Sequence, residues 1–263
     1  MDQKTFNSLP SGILTEQERD LFSLDDFLGG QLKLLQREDG YRISMDSILL
    51  AAAIPAKAED RVFEPGIGTG GVSLSLARRV AGLNITGLDI QPDMLDVAEM
   101  NARLNDLANR LTLMKGDVSD PPEALKPGSF DHVVVNPPYL VPGSGFRPPS
   151  QTKGLAHMDS SATIKDWMNI CVNMARHKGT ITIVHRTNML HHVIARIAKS
   201  VGDLKLLPLR PRDGKPAKRF ILQGRKGTHG GMAILPGLVL HGEEVRYTKA
   251  AEMILRDGKA LPM

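Results

Sequence analysis

The chain has 263 residues, of which 41% are hydrophobic and 24% are charged, so it can bury the core of one globular domain and is not expected to be disordered or fibrous. Its single cysteine, Cys171, excludes an internal disulfide and a cysteine-rich zinc site. The polar start and the lack of an apolar run of about 18 residues predict a cytoplasmic protein without a secretory signal or a membrane span.

The first part of the chain differs from the rest in pattern. Residues 1–40 are turn-rich, and we interpret them as an N-terminal appendage with a hairpin, separate from a main domain over residues 41–263. The main domain opens with the apolar run 47–54, which predicts a short helix. Either Ser44 or Asp46 can cap that helix.

From residue 61 the chain alternates between short β-rich runs and amphipathic helices, which predicts a parallel sheet covered on both faces. The alternation ends near residue 201. Two strands, 205–209 and 219–223, then follow without a helix between them, and we expect them to form an antiparallel hairpin at the sheet edge. The predicted fold class is α/β, with a mostly parallel, seven-stranded, Rossmann-like sheet.

A glycine-rich loop, 63–71 (FEPGIGTGG), follows the first strand of this alternating region and opens a helix. Glycines allow a sharp turn and let a ligand lie against the main chain. The spacing leaves alternatives open. Gly66, Gly68 and Gly70 fit the G-x-G-x-G loop of methyltransferases, whereas Gly66, Gly68 and Gly71 fit the dinucleotide fingerprint. A glycine-rich turn without a ligand is a third interpretation.

Acidic residues stand at the ends of three successive predicted strands, where open α/β sheets bind ligands. Glu64 is a poor neighbour for a pyrophosphate but suits a cofactor that has an ammonium and a sulfonium group. Asp89 can accept hydrogen bonds from both hydroxyls of a ribose. Asp117 can accept one from an adenine amino group, or it can simply cap a helix or a turn.

The most specific feature is Asn136-Pro137-Pro138-Tyr139, directly after an apolar strand. The prolines remove two backbone donors and lock the chain, so carbonyls are left to accept hydrogen bonds from a ligand. The Asn136 side-chain oxygen and the Pro137 carbonyl can each accept one hydrogen of an exocyclic amine, which directs the nitrogen lone pair towards a methyl donor. Tyr139 can stack on a base. We expect catalysis by positioning and electrostatics, without a strong general base.

Taken together, these residues resemble the class I methyltransferases that have an NPPY signature. From about residue 25 onward the chain resembles the bacterial tRNA(Val) adenine-N6 methyltransferases, which modify adenosine 37 beside the anticodon. The segment 40–50 (GYRISMDSILL), the strand that starts with Lys218-Arg219-Phe220 and the helix start at 247–250 extend the resemblance beyond the glycine loop and NPPY. It implies a class I methyltransferase fold and an RNA partner, a tRNA anticodon loop.

The resemblance also implies S-adenosylmethionine as the cofactor, with Ser44 and Asp46 closing over its methionine part. The expected cofactor-binding residues are Ser44, Asp46, Glu64, Pro65, Gly66, Gly68, Gly70, Asp89, Ile90, Asp117, Val118 and Asn136.

Basic residues are concentrated late in the chain, with eight of them against one acid between residues 205 and 226. We expect Lys215, Lys218 and Arg219 to contact RNA phosphates, together with Arg147 near the mouth of the pocket. A solvated hairpin loop is the alternative.

No metal is expected, because the pair His191-His192 lacks a partner at metal-ligand spacing. Enzymes with the same motif methylate other amino groups, so three alternative acceptors remain: adenine-N6 in DNA, guanine-N2 in rRNA, and glutamine-N5 in a protein.

Overall fold

The computed structural model describes residues 13–15, 17–40, 42–138 and 162–263. Tyr139 and Arg147 therefore lie outside the described residues, and their expected roles stay predictions. No helix in these ranges is long and apolar enough to cross a membrane.

An antiparallel hairpin precedes the main sheet in the chain. Its strands are β1 (Phe22–Phe27) and β2 (Leu32–Arg37), which pair in register from Phe22 with Arg37 to Phe27 with Leu32.

Within the described residues the main sheet has nine strands, in the order β10-β8-β9-β7-β6-β3-β4-β5, with β11 also paired to β8. They are β3 (Arg61–Pro65), β4 (Asn84–Asp89), β5 (Leu111–Lys115), β6 (Phe130–Val135), β7 (Ala175–Arg186), β8 (Val201–Arg210), β9 (Arg219–Lys226), β10 (Met232–Ile234) and β11 (Leu238–Val239). The helices are α1 (Met45–Ala53), α2 (Gly71–Arg79), α3 (Pro92–Leu104), α4 (Ile164–Met174), α5 (Leu190–Ile197) and α6 (Lys249–Leu255).

The seven strands β3 to β9 form the predicted sheet. β3 is parallel to β4 and β6, β4 to β5, and β6 to β7, while β9 runs antiparallel to both β7 and β8. The turn between β8 and β9 therefore lies at the carboxyl edge of the parallel strands, because Arg219 at the start of β9 pairs with Arg186 at the end of β7. The short strands β10 and β11, which sequence analysis missed, extend the sheet beyond β8.

Alternation along the central strands divides the core between the two faces of the sheet, because successive residues of a strand point to opposite sides. Val62 and Val134 pack on one face with α1, α2 and α6, whereas Phe63 and Val133 pack on the other with α4 and α5. Both faces are covered, as expected for strands that are apolar throughout.

Two asparagines, Asn101 in α3 and Asn105 directly after this helix, connect the hairpin to the main domain. Asn101 Oδ1 accepts a hydrogen bond from Leu35 N at 2.6 Å, and its Nδ2 donates to Leu35 O at 3.1 Å and to Thr69 O at 3.0 Å. One turn later, Asn105 bonds in the same way to both backbone groups of Lys33. Their side-chain amides thus occupy the free edge of β2, where another strand could otherwise pair.

Replacing Asn101 with alanine should leave these buried backbone groups unsatisfied. Each such group costs about 1–3 kcal/mol, so we expect Asn101→Ala to lower the free energy of unfolding in urea by about 2–4 kcal/mol. The matched control is Glu99→Ala on the exposed side of the same helix, where the Glu99–Arg103 ion pair is solvent-exposed and the change should stay within about 0.5 kcal/mol. Similar losses in both variants would contradict a structural role for Asn101.

Candidate active site

The glycine loop after β3 has the backbone that its sequence requires. Gly66, Gly68 and Gly70 adopt φ angles of 69°, 55° and 89°, in the left-handed region that favours glycine. These three are the glycines of the G-x-G-x-G spacing. The loop is attached to the end of β4, because the backbone N–H groups of Gly66 and Ile67 both donate to Leu88 O, at 2.7 and 3.0 Å.

One side of the loop is packed and the other is open. A Cβ atom on Gly66 would lie 2.6 Å from the ring of Trp167, a buried residue of α4. A Cβ atom on Gly68 would meet no atom within 4 Å among the described residues. Sequence analysis does not single out Trp167. Its direct contact with the loop joins positions far apart in the chain, and no local pattern indicates it.

Asp89 ends β4 beside this loop and is 7% exposed. Its Oδ2 accepts a hydrogen bond from Gly68 N at 2.8 Å, and its Oδ1 accepts one from Gln91 N at 3.0 Å. Burial raises the pKa of this carboxyl group, and the backbone hydrogen bonds oppose the rise. Each carboxylate oxygen can accept a further hydrogen bond, so both can receive a ribose hydroxyl. Ile90 follows, half-buried.

Glu64 lies near the end of β3, before the buried Pro65, and is itself 2% exposed. Its Oε2 accepts hydrogen bonds from Ser73 N at 3.1 Å and Ser73 Oγ at 2.5 Å, in the first turn of α2. Burial raises the pKa of Glu64 to about 8, against the lowering effect of the Ser73 hydrogen bonds. The carboxyl group therefore anchors the helix that the glycine loop opens.

Asp117 follows β5, at the same edge of the sheet. Its Oδ1 accepts hydrogen bonds from Ser119 N and Ser119 Oγ, both at 2.8 Å, so it forms a local turn of the kind that sequence analysis gave as the alternative. Gly116 N donates to Asp89 O at 2.9 Å, which brings the ends of β4 and β5 together. The next residue, Val118, is buried.

Asn136 stands directly after β6, whose last three residues are fully buried. Its Oδ1 atom is buried and has no hydrogen-bond partner within the described part of the chain. Buried acceptors are normally satisfied in folded proteins, so an unpaired one next to a ligand-binding edge indicates a place for an external donor. The buried Pro137 and the half-buried Pro138 follow it.

The residues before the glycine loop contribute a further carboxylate. Ser44 is the N-cap residue of α1 but makes no capping hydrogen bond with its side chain. Asp46, in the first turn of α1, is 1% exposed, and its Oδ2 lies 2.6 Å from Arg219 Nε. The expected substrate residue Arg219 thus contacts the expected cofactor residue Asp46.

The other expected phosphate contacts are on the surface. Lys215 and Lys218 are exposed in the turn between β8 and β9, at the carboxyl edge of the sheet. This turn is attached to the end of β7, because Thr187 N donates to Lys218 O at 3.1 Å and Thr187 Oγ1 donates to Ala217 O at 3.2 Å.

A cavity of about 820 Å³ lies at the opposite, amino edge of the sheet, lined by residues that include Asp60, His132, Thr180 and Arg225. His132 precedes Asn136 by four positions on β6, which corresponds to about 13 Å along a strand. The cavity is therefore separate from the candidate site. Within the described ranges, no group of three or more His, Cys, Asp or Glu side chains is arranged to hold a metal ion.

The residues around the glycine loop fit a polar nucleoside-like cofactor. Besides Asn136 Oδ1, the Thr69 Oγ1 and Trp167 Nε1 atoms are buried without hydrogen-bond partners among the described residues. Thr69 belongs to the loop itself, and Trp167 packs against it. Unpaired hydrogen-bond donors and acceptors thus lie near the open side of the loop at Gly68, at the carboxyl edge of the sheet.

A family model described as "Methyltransferase domain" matches residues 62–144, from β3 to beyond Asn136. Together with the sheet order and the glycine loop, this match defines the chain as an S-adenosylmethionine-dependent methyltransferase with the class I fold.

In sequence, the chain is similar to tRNA1(Val) (adenine(37)-N6)-methyltransferases. It is 27% identical over 184 residues to one from Yersinia pseudotuberculosis, which covers 69% of this chain and 71% of the relative. A Yersinia pestis protein of the same name is also 27% identical, over 69% of this chain and 73% of its own length.

Solved structures show the same fold. A predicted O-methyltransferase from Agrobacterium tumefaciens superposes with a TM-score of 0.68 at 21% identity, covering 83% of this chain and 99% of that one. A tRNA (m1A58) methyltransferase from Aquifex aeolicus superposes with a TM-score of 0.51 at 17% identity, covering 73% and 72%.

The contact between Gly66 and Trp167 gives a test of the loop. In Gly66→Ala the new methyl group would overlap the indole at a positive φ, so we expect the free energy of unfolding to fall by about 2–5 kcal/mol. Gly128 has the same φ of 69°, but a Cβ atom there would meet no described atom within 4 Å, so Gly128→Ala should show only the backbone cost, about 1–2 kcal/mol. Equal losses in urea denaturation would mean that Trp167 does not constrain the loop.

The raised pKa of Glu64 gives a pH test. Because the folded protein keeps this carboxyl group protonated up to about pH 8, against an ordinary pKa of 4.5, its contribution to stability is complete below pH 4.5 and is lost as the pH rises to about 8. The loss is about 1.4 kcal/mol per pH unit. In urea unfolding without cofactor, Glu64→Gln should become more stable relative to the wild type as the pH rises from 5 to 8. A constant difference would show that Glu64 is ionised throughout.

Proposed function

We propose that this methyltransferase acts on tRNA and transfers the methyl group of S-adenosylmethionine to the N6 amine of adenosine 37 in the anticodon loop. The observation that carries the proposal is the buried, unpartnered Oδ1 atom of Asn136 at the end of β6, within the part of the chain that the structure describes. The names of the relatives support tRNA and adenine as the acceptor.

In the proposed cofactor site, Asp89 binds the ribose hydroxyls and the loop from Gly66 to Gly70 lies along the cofactor. Asp117 keeps one carboxylate oxygen, Oδ2, for the adenine amino group, since the Ser119 hydrogen bonds go to Oδ1. When bound, S-adenosylmethionine supplies an electrophilic methyl group on a sulfonium ion. Glu64, buried near the loop, adds negative charge that favours such a cation once the carboxyl group ionises.

Asn136 and Pro137 act on the acceptor. The lone pair of an exocyclic adenine amine is delocalised into the ring, so the amine is a poor nucleophile. Asn136 Oδ1 and the Pro137 carbonyl accept its two hydrogens, which orients the nitrogen and directs the lone pair out of the ring plane. Nitrogen becomes acidic on methylation, so the proton leaves to water and no strong base is needed. Tyr139 would stack on the base.

The RNA would approach along the carboxyl edge. Lys215 and Lys218 are exposed at the same edge of the sheet as Asn136, so they can contact backbone phosphates while a base enters the site. Bases in RNA loops leave their stack at low cost, which favours a loop adenosine as the acceptor. We propose a cytoplasmic location because the substrate would be tRNA.

Asn136→Ala tests the mechanism. Without the side-chain acceptor, we expect the single-turnover rate of methyl transfer at saturating cofactor to fall by about 10²–10³-fold. Asn84→Ala is the matched control, since Asn84 is an exposed asparagine at the amino end of β4 and should leave the rate unchanged. A rate for Asn136→Ala close to that of the control would remove the basis of the proposal.

The acceptor is tested with labelled S-adenosylmethionine and four pools: total tRNA, total rRNA, DNA and release-factor protein. We expect label in tRNA, recovered as N6-methyladenosine, and its loss from a transcript in which adenosine 37 is replaced by guanosine. Label in protein alone would assign a glutamine acceptor, and label as N2-methylguanosine in rRNA or as N6-methyladenine in DNA would assign the corresponding nucleic-acid activity.

A further inference from the structure

One ion pair joins the two regions that the proposed function assigns to cofactor and RNA. Arg219 Nε lies 2.6 Å from Asp46 Oδ2, and Asp46 is only 1% exposed. A carboxylate this deeply buried is costly without a charged partner. Arg219 therefore supplies a positive charge beside the buried Asp46 carboxylate.

Asp46 lies where α1 meets the glycine loop. It is in the first turn of α1, three residues after Ile43. The side chain of Ile43 packs so closely on Gly71, the first residue of α2, that a Cβ atom there would lie 2.9 Å from it. The segment that leads into α1 is thus in contact with the end of the glycine loop.

Arg219 lies at the end of the turn between β8 and β9. It is the first residue of β9 and pairs with Arg186 of β7 and Leu209 of β8, within the sheet. Its neighbour Lys218 is exposed, whereas the Arg219 side chain is 37% exposed and bound to Asp46. Adjacent residues in the basic stretch thus differ in environment, although the sequence alone groups them together.

We propose that Arg219 is a positioning residue for the cofactor site, and not one of the phosphate contacts. Through Asp46 it holds the start of α1 against the glycine loop, while Lys218 contacts RNA. The inference rests on the proposed function for the assignment of the two ligands. It predicts that Arg219 affects the affinity for the cofactor, whereas the adjacent Lys218 affects the affinity for RNA.

The experiment compares Arg219→Gln with Lys218→Gln, which removes one positive charge at the adjacent position. Isothermal titration gives the Kd of S-adenosylmethionine, and tRNA binding is measured as a function of salt. We expect Arg219→Gln to raise the cofactor Kd about tenfold or more, which corresponds to about 1.4 kcal/mol, and to leave the salt dependence of tRNA binding unchanged. Lys218→Gln should keep the cofactor Kd and reduce the slope of log K against log salt by about 0.7, the value for one phosphate contact to a single strand.

Two further variants keep the test valid if Arg219→Gln does not fold. Arg219→Lys retains the charge and should recover part of the cofactor affinity. Asp46→Asn combined with Arg219→Gln removes both charges, so it should fold without restoring cofactor affinity. The inference is overturned if Arg219→Gln lowers the tRNA salt slope as Lys218→Gln does while the cofactor Kd stays at its wild-type value.

Failure of the proposed function would look different from failure of this inference. A wild-type protein that binds S-adenosylmethionine but leaves tRNA unmethylated would refute the proposed acceptor. The effect of Arg219→Gln on the cofactor Kd would still decide the role of Arg219, because that measurement uses no RNA.

Discussion

The attachment of the glycine loop to the end of β4 is the constraint on which the site depends. The backbone N–H groups of Gly66 and Ile67 share one carbonyl, that of Leu88, and the carboxylate of Asp89 accepts from Gly68 N. These bonds fix a loop that turns three times through the left-handed region, so its open side faces the carboxyl edge.

The site also concentrates buried polar groups that would be unfavourable elsewhere. Glu64, Asp89 and Asp46 are all almost fully buried, and each is stabilised by a specific partner: Ser73, two backbone N–H groups and Arg219, respectively. Asn136 Oδ1 differs from these groups, because like Thr69 Oγ1 and Trp167 Nε1 it has no hydrogen-bond partner among the described residues. Buried carboxyl groups that have hydrogen-bond or ion-pair partners give a rigid frame, and in the proposed function the unpaired amide oxygen of Asn136 accepts a hydrogen bond from the substrate.

Local features of the sequence predicted most of the fold and part of the site. Apolar strand runs, the glycine loop and the final pair of strands without a helix are all short-range patterns, and the sheet from β3 to β9 follows them. The contacts of Trp167 with Gly66 and of Arg219 with Asp46 were not predictable, because they join distant positions whose proximity depends on the complete fold. β10 and β11 were missed since strands of two or three residues have no periodicity to detect.

The amides of Asn101 and Asn105 have a consequence for how the chain is divided. They bond to β2 across 66 and 72 positions of sequence, and Asn101 also bonds to the glycine loop at Thr69 O. The free edge of β2 can therefore form these hydrogen bonds only when α3 is in place beside the hairpin. A fragment beginning after the hairpin would expose two amides that are buried in the whole chain, in direct connection with the cofactor loop. Removal of the hairpin should therefore also alter the glycine loop, because Asn101 bonds to both of them.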